Sequence, residues 1–258
     1  MINQHQHLRI GTWNVQYGAG VDKNRLRREL LVEKDADIWV LTETHDDLDL
    51  VDTHAVVRSL QRSTAKAGGR WTTIMSRFPV IEQIDTVDPH RTVCARLDGG
   101  ALGEIVMFGT VLPWHTDQGP DPAVPKRNWE EFARIVPLQG AEWRELRTRY
   151  PSATFVVAGD LNHNLGGPHY YGYKAGRALL RDALAASSLV CYTNSDEFRF
   201  EGLAHPPIDH VCASFPDRVS IASRVEAWEK ESEAGVRLSD HSGVLVDFML
   251  ADVATHDG

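Results

Sequence analysis

The segment Phe155-Val156-Val157-Ala158 has the apolar, branched composition of a strand that crosses a core, yet it stops at Gly159 and gives Asp160, Asn162, His163 and Asn164 within five positions. A strand cannot carry such groups inward unless they are partnered, so this ending constrains the fold. Asp160 and Asn162 are two apart, which on extended backbone sends both side chains to one side and Leu161 to the other. Taken alone, the pair fits a turn as well as a site, because Asp, Asn and Gly also serve turns.

The same event recurs along the chain. The strand-like Leu8–Val15 carries Asn14 near its end, and Ile38-Trp39-Val40-Leu41 runs into Glu43. Asp209 sits beside Ile208 in an apolar segment, and Asp240-His241 precede the apolar run 243–250. Five strand ends that all offer oxygen, amide or imidazole groups suggest one shared chemistry. Hard cations such as Mg²⁺ take carboxylate and water oxygens, using one or two protein carboxylates. Phosphate-ester hydrolysis needs charge neutralised on phosphoryl oxygens, an aligned water and hydrogen bonds to developing charge. Glu43 suits the metal and Asp160 suits orienting or deprotonating water. The Asn14 and Asn162 amides can donate to phosphate oxygens, and a His241 oriented by Asp209 can bind or protonate one. Neither a Gly-x-Ser-x-Gly elbow nor a Gly-rich phosphate loop is present in the sequence, which disfavours serine hydrolysis and nucleotide-triphosphate motor chemistry.

The remaining pattern alternates strands with fewer helices. Residues 22–34 carry Leu26, Leu30 and Leu31 among charges, an amphipathic helix for which Asp22 is the expected N-cap. Residues 69–87 and 91–112 read as strands, the second pair turning at Gly99-Gly100. A helix is expected over 126–150, kinked or split at Pro137, and another near 173–187. Strands follow at 206–214, 217–228 and 242–250. Many strands with few helices favour two packed sheets flanked by helices over one parallel sheet.

Apolar residues at 42% and charged residues at 24% are enough to bury a substantial core, and a single domain is expected over 1–258 with its core at about 8–250. The net charge of −9 argues against a protein that coats nucleic acid through counterion release, without touching an enzyme that neutralises one phosphate locally. No apolar run approaches membrane-spanning length, and the opening residues lack a signal-type run. Cys94, Cys191 and Cys212 have no metal-type spacing and suit reduced thiols. The expectation is therefore a cytoplasmic monomer without stable membrane attachment.

The ordered set TWNV, LTET, GDLNHN, PIDHV and LSDHS, with GRWTTIMSRFPV, resembles the endonuclease/exonuclease/phosphatase superfamily. That group includes exonuclease III, apurinic endonucleases, deoxyribonuclease I, inositol polyphosphate 5-phosphatases and neutral sphingomyelinases. The match runs from about residue 8 to 248. The resemblance implies an α/β (α+β) fold, a four-layer α/β/β/α sandwich of two packed mixed sheets flanked by helices. It also implies a Mg²⁺- or Mn²⁺-dependent hydrolase of phosphate esters. Asn14 and Glu43 match the family's phosphate- and metal-binding positions. Asp160 and Asn162 match its Gly-Asp-x-Asn, Asp209 the acid that orients the catalytic histidine, and Asp240-His241 its terminal Ser-Asp-His. Three positions depart from the pattern: Gln16 stands where many of the nucleases have Asp, Val111 falls where a Tyr or His is usual, and His210 follows Asp209 where the 5-phosphatases have Arg.

On this basis Asp160, Asn162, Asp209 and His241 are the expected catalytic residues. Asn14, Asn162 and His115 are the expected phosphate-binding residues, and Glu43, Asp240 and Asn14 the expected metal ligands. His163 is a weaker candidate, and His210 is expected to be buried in the fold. The proline-containing loop 113–129 and the tyrosines of 166–177 are candidates for substrate selection. Nuclease-type phosphodiester cleavage, with a nucleic acid or nucleotide substrate, ranks first. A small-molecule, inositol or lipid phosphatase comes second, and a catalytically silent binding domain third.

Overall fold

The computed structural model describes residues 6–252 except 19, 63–66, 121, 122, 124, 195–202, 217, 218 and 233. In chain order the elements are β1 (Gln6–Asn14), α1 (Val21–Lys34), β2 (Ile38–His45), β3 (Ala55–Arg58), β4 (Gly69–Ser76), β5 (Val80–Ile84), β6 (Thr92–Asp98), β7 (Glu104–Val111), α2 (Glu130–Arg149), β8 (Thr154–Asp160), α3 (Lys174–Ala186), β9 (Val190–Cys191), β10 (Asp209–Ser214), β11 (Val219–Trp228) and β12 (Gly243–Asp252). They form two six-stranded sheets, ordered β11-β12-β1-β2-β4-β3 and β5-β6-β7-β8-β10-β9. Both are mixed: β1–β2 and β7–β8 run parallel, and their other neighbours antiparallel.

Three apolar layers hold the stack. Ile10, Val40 and Phe248 of the first sheet face Met107, Val156 and Val211 of the second, forming the interior between sheets. On the outside of the second sheet, Phe132 and Trp143 of α2 and Leu180 of α3 cover Phe108, Phe155 and Val157. On the outside of the first, Leu31 of α1 packs with Trp13, Trp39 and Leu245. Successive strand residues point to opposite faces, which is why strands buried on both sides read as nearly continuous apolar runs. The result is the expected four-layer α/β/β/α sandwich.

Two local expectations change. The first turn of α1 begins at Val21 behind Gly20, whose φ of 100° an L-residue rarely adopts, so Asp22 lies inside the helix near its positive end. Helix α2 runs through Pro137 as one helix. Pro137 and Ala133 face solvent, where water can satisfy the carbonyl that loses its amide partner, while buried Phe132, Val136 and Trp143 hold the helix to the sheet. The short strands β3 and β9 carry too few residues to stand out as sequence patterns.

One glycine sets the entrance to the site. Gly159 has φ +136°, and a Cβ there would lie 2.0 Å from the Thr110 carbonyl oxygen of the parallel neighbour β7. Gly159→Ala should therefore cost at least about 2 kcal/mol, read as a lowered urea midpoint. Gly100→Ala, in a turn with open space around it, should cost less.

Candidate active site

The topology brings the polar strand ends to one edge of the sandwich. Strands β1 and β2 are parallel, so Asn14 and Glu43 emerge on the same side. Strand β12 runs antiparallel to β1, with Thr12 opposite Val244, so His241 just before it lies by the end of β1. In the second sheet, Asp160 at the end of β8 is the register partner of Asp209 at the start of β10. Both sheets thus deliver their polar residues to the same edge.

Asn14 connects the two sheets. Its Nδ2 donates to Glu43 Oε1 at 3.2 Å and to Asp160 Oδ2 at 3.1 Å, while its Oδ1 accepts from the Gln16 amide at 2.9 Å. That bonding turns the NH₂ toward the carboxylates, so Asn14 stands here as a hydrogen-bond donor, whereas a ligand to metal would have to offer its oxygen. Asp160 divides its two oxygens. Oδ1 accepts from the Asn162 amide at 2.9 Å, which closes a turn, and Oδ2 faces Asn14 and lies 3.9 Å from His241 Nε2. The turn and the site are the same residue used twice.

His241 Nδ1 and Asp209 Oδ2 are 2.6 Å apart. The backbone around this histidine is tied to β1: Ser239 Oγ donates to the Asn14 carbonyl at 2.5 Å, the His241 amide donates to Ser239 Oγ at 3.1 Å, and Trp13 Nε1 donates to the His241 carbonyl at 3.0 Å. Buried Arg27 adds two hydrogen bonds to the Leu238 carbonyl. Burial opposes charge on the imidazole, but Asp209 and then Asp160 raise its pKa to about 10. Burial raises Asp160 to about 7; His241 opposes this shift and the neighbouring Asp209 charge adds to it. The ligand atoms of Asp160, Asp209 and His241 all lie within 4.8 Å of one another.

Other candidates take different places. The Asn162 NH₂ donates to the Leu112 carbonyl at 2.8 Å, because the residue has φ 52° and turns its side chain away from the direction the extended i, i+2 argument expects. Asp240 is exposed at the rim of a cleft shared with Asp209 and His241, and forms no hydrogen bond among the described residues. The ring of His115 packs on Trp129, 5.4 Å between centroids, rather than on a carboxylate. His163 is fully buried against Phe132 and Trp129, and its Nε2 accepts from the Tyr173 amide. His210 is buried as expected, its Nε2 against the His163 carbonyl and its Nδ1 against Thr193. Arg62, which no motif marked, lies 3.5 Å from Glu43 Oε2. Its segment carries no recognisable pattern, so only the fold reveals the contact.

A sequence model described as the Endonuclease/Exonuclease/phosphatase family matches residues 11–241. The chain belongs to that family. Its members are phosphoester hydrolases. Among curated proteins, none matches the sequence significantly. Among solved structures, the chain is similar to an endonuclease/exonuclease/phosphatase from Beutenbergia cavernae, with 18% identity, TM-score 0.61, and 96% of this chain and 72% of that one covered. It is likewise similar to an AP endonuclease from Archaeoglobus fulgidus, at 16% identity and TM-score 0.63, and to a 3′-5′ exonuclease from Neisseria meningitidis, at 17% and 0.64. Each of these two comparisons covers 93% of this chain and 98% of the other. Identities this low establish a shared fold. Within the endonuclease/exonuclease/phosphatase pattern, Gln16 serves through its backbone amide on Asn14, and buried Val111 is the β7 register partner of Asp160. No helix among the described residues is long and apolar enough to cross a membrane.

His163 supplies a test of this packing. Burial lowers its pKa to about 4, against about 6.5 in an unfolded chain. The fold accommodates the neutral ring, so its contribution is complete above about pH 6.5 and is lost as pH falls toward 4. The loss should reach roughly 3 kcal/mol. Urea midpoints measured across that window should fall less steeply for His163→Gln than for the wild type.

Proposed function

We propose that this chain is a divalent-metal-dependent phosphodiesterase of nuclease type. The observation that carries the proposal is the convergence of Asn14, Glu43, Asp160, Asp209 and His241 from both sheets into one connected chain of contacts, with His241 held between two buried carboxylates. The donor set suits Mg²⁺ or Mn²⁺: carboxylate oxygens of Glu43 and Asp160 share one amide, and buried Asp209 Oδ1 has no hydrogen-bond partner among the described residues. Glu43 would hold the ion with an Asp160 oxygen beside it. When bound, the ion would supply Lewis-acid stabilisation of charge on the phosphoryl oxygens.

The chain's own groups do the rest. Asp160 Oδ2, between Asn14 and His241 Nε2, aligns the attacking water. Asn14 positions both carboxylates, one of its two N–H bonds going to each. Asp209 fixes the imidazole through Nδ1–H, and because the two carboxylates keep the ring an imidazolium, Nε2 also carries a proton that can meet a phosphoryl or leaving oxygen. Asn162 holds Asp160 through its backbone amide and anchors the loop after β7 through its side chain. Two clefts, of about 250 and 810 Å³, open at opposite ends of this contact chain, one at Asp209–His241 and the other at Arg62. A diester carries a substituent on each side of its phosphorus, and a monoester only one. The paired clefts therefore support diester cleavage ahead of an inositol or lipid phosphatase, and the intact acid and imidazole set opposes a silent domain.

Hydrolysis of bis(4-nitrophenyl) phosphate with Mg²⁺ or Mn²⁺ tests the proposal. His241→Ala and Asp160→Asn should each lower kcat/KM by at least about a hundredfold. Glu43→Gln should raise the metal concentration giving half-maximal rate. Wild type no faster than His241→Ala would overturn the assignment.

A further inference from the structure

Beyond the acid and imidazole cluster, planar side chains form a continuous ladder along one wall of the larger cleft. The Arg62 guanidinium lies 4.3 Å from the Tyr17 ring centroid and 3.5 Å from that of Trp71. Trp71 and Trp114 are 5.4 Å apart at 36°, and Arg91 stands 5.8 Å from Trp114. Trp71, Trp114 and Arg62 all line the cleft of about 810 Å³, a volume within the range of sites for nucleotide-sized ligands. Tyr17 is 43% exposed, and both indoles are half-buried where they line the cleft, so part of their ring surface is within reach of a ligand.

The ladder adjoins the reacting groups. Trp71 lies between the registered pairs Thr42–Thr72 and Thr44–Arg70, opposite Glu43, and Arg62 touches Glu43 itself. Trp114 comes two residues after Leu112, whose carbonyl accepts from Asn162 and whose amide donates to the Asp160 carbonyl. A group attached on the Arg62 side of a phosphate bound at the acid and imidazole cluster would therefore meet these rings.

The charges decide what kind of group that is. Arg91 is ion-paired with Asp117 at 2.8 Å, and Arg134 on the far wall with Glu131 at 2.6 Å. Cations already neutralised offer little to a run of phosphates, so this wall is poorly built to follow the backbone of a duplex. Half-buried indoles lining the cleft beside a stacked guanidinium offer ring surface instead. In a duplex the bases are stacked on one another and present only their edges. Resting on the phosphodiesterase reading above, we propose that the Arg62–Trp71–Trp114 ladder is a stacking subsite for an unpaired nucleobase adjoining the scissile phosphate. The preferred substrate is then a single-stranded or frayed end of nucleic acid.

Fluorescence anisotropy tests this in a His241→Ala background, where the strand is not consumed. The probes are a labelled short oligodeoxythymidylate, an abasic tetrahydrofuran strand with the same number of phosphates, and a blunt hairpin. The thymidylate should bind about tenfold or more tightly than the abasic strand, and more tightly than the hairpin. Trp71→Ala and Trp114→Ala should each weaken thymidylate binding by about five- to a hundredfold, with Phe at either position restoring most of it. Equal affinity for thymidylate and abasic strands, a hairpin bound as tightly as the single strand, or alanine variants that bind like the parent would each overturn the subsite. The first two comparisons need no substitution within the ladder. Failure of the phosphodiesterase reading shows elsewhere, as wild-type turnover of bis(4-nitrophenyl) phosphate no faster than that of His241→Ala.

Discussion

The β8–β10 register sets Asp160 directly across from Asp209, and both carboxyl groups are almost fully buried. Two such acids side by side destabilise a fold unless cations and donors compensate them. Compensation comes from outside the pair. His241 reaches Asp209 from the strand end of the opposite sheet, Asn14 reaches Asp160 from β1, and the Asn162 amide caps the remaining Asp160 oxygen. The sheets cannot slide past one another without stranding these charges. Stability at this edge and geometry at the site are therefore one constraint.

The same dependence explains the structural reinforcement around groups that do no chemistry. Ser239 bridges the Asn14 carbonyl and the His241 amide, Arg27 clamps Leu238, and Trp13 holds the His241 carbonyl. Each fixes the imidazole relative to β1, so its position is set by backbone rather than by side-chain rotamers alone. Gly159 plays the matching part in the other sheet, where its positive φ beside Thr110 lets Asp160 enter the cleft.

Much of this was legible in sequence. Strands buried on both faces give apolar runs, so their polar endings stood out, and Asn14, Glu43, Asp160, Asp209 and His241 do meet. Asn162 leaves the side that an extended backbone would give it, because φ 52° ends the extension. Asp240, read beside His241, points to solvent since its neighbour alone is drawn in by Asp209. His163 was ambiguous because a buried imidazole that accepts one backbone amide leaves the same sequence trace as a catalytic one. Pro137 misled for a related reason: the cost of a helix proline depends on whether its orphaned carbonyl faces water, which requires the helix to be docked first.

The Arg62–Trp71–Trp114 ladder was beyond reach for a different reason, since its members come from three segments joined only by the packing of β4 against β2 and the exit of β7. It also changes what the net charge of −9 implies. Whole-chain charge bears on ligands held by counterion release, where each phosphate contact adds to the attraction. A site that neutralises one phosphate and stacks one base needs neither a basic surface nor a long track. In that proposal binding comes from ring surface and from neutralising a single phosphate beside the His241 imidazolium. An acidic chain can therefore act on a polyanion, provided it engages the polymer where a base is free to leave the stack.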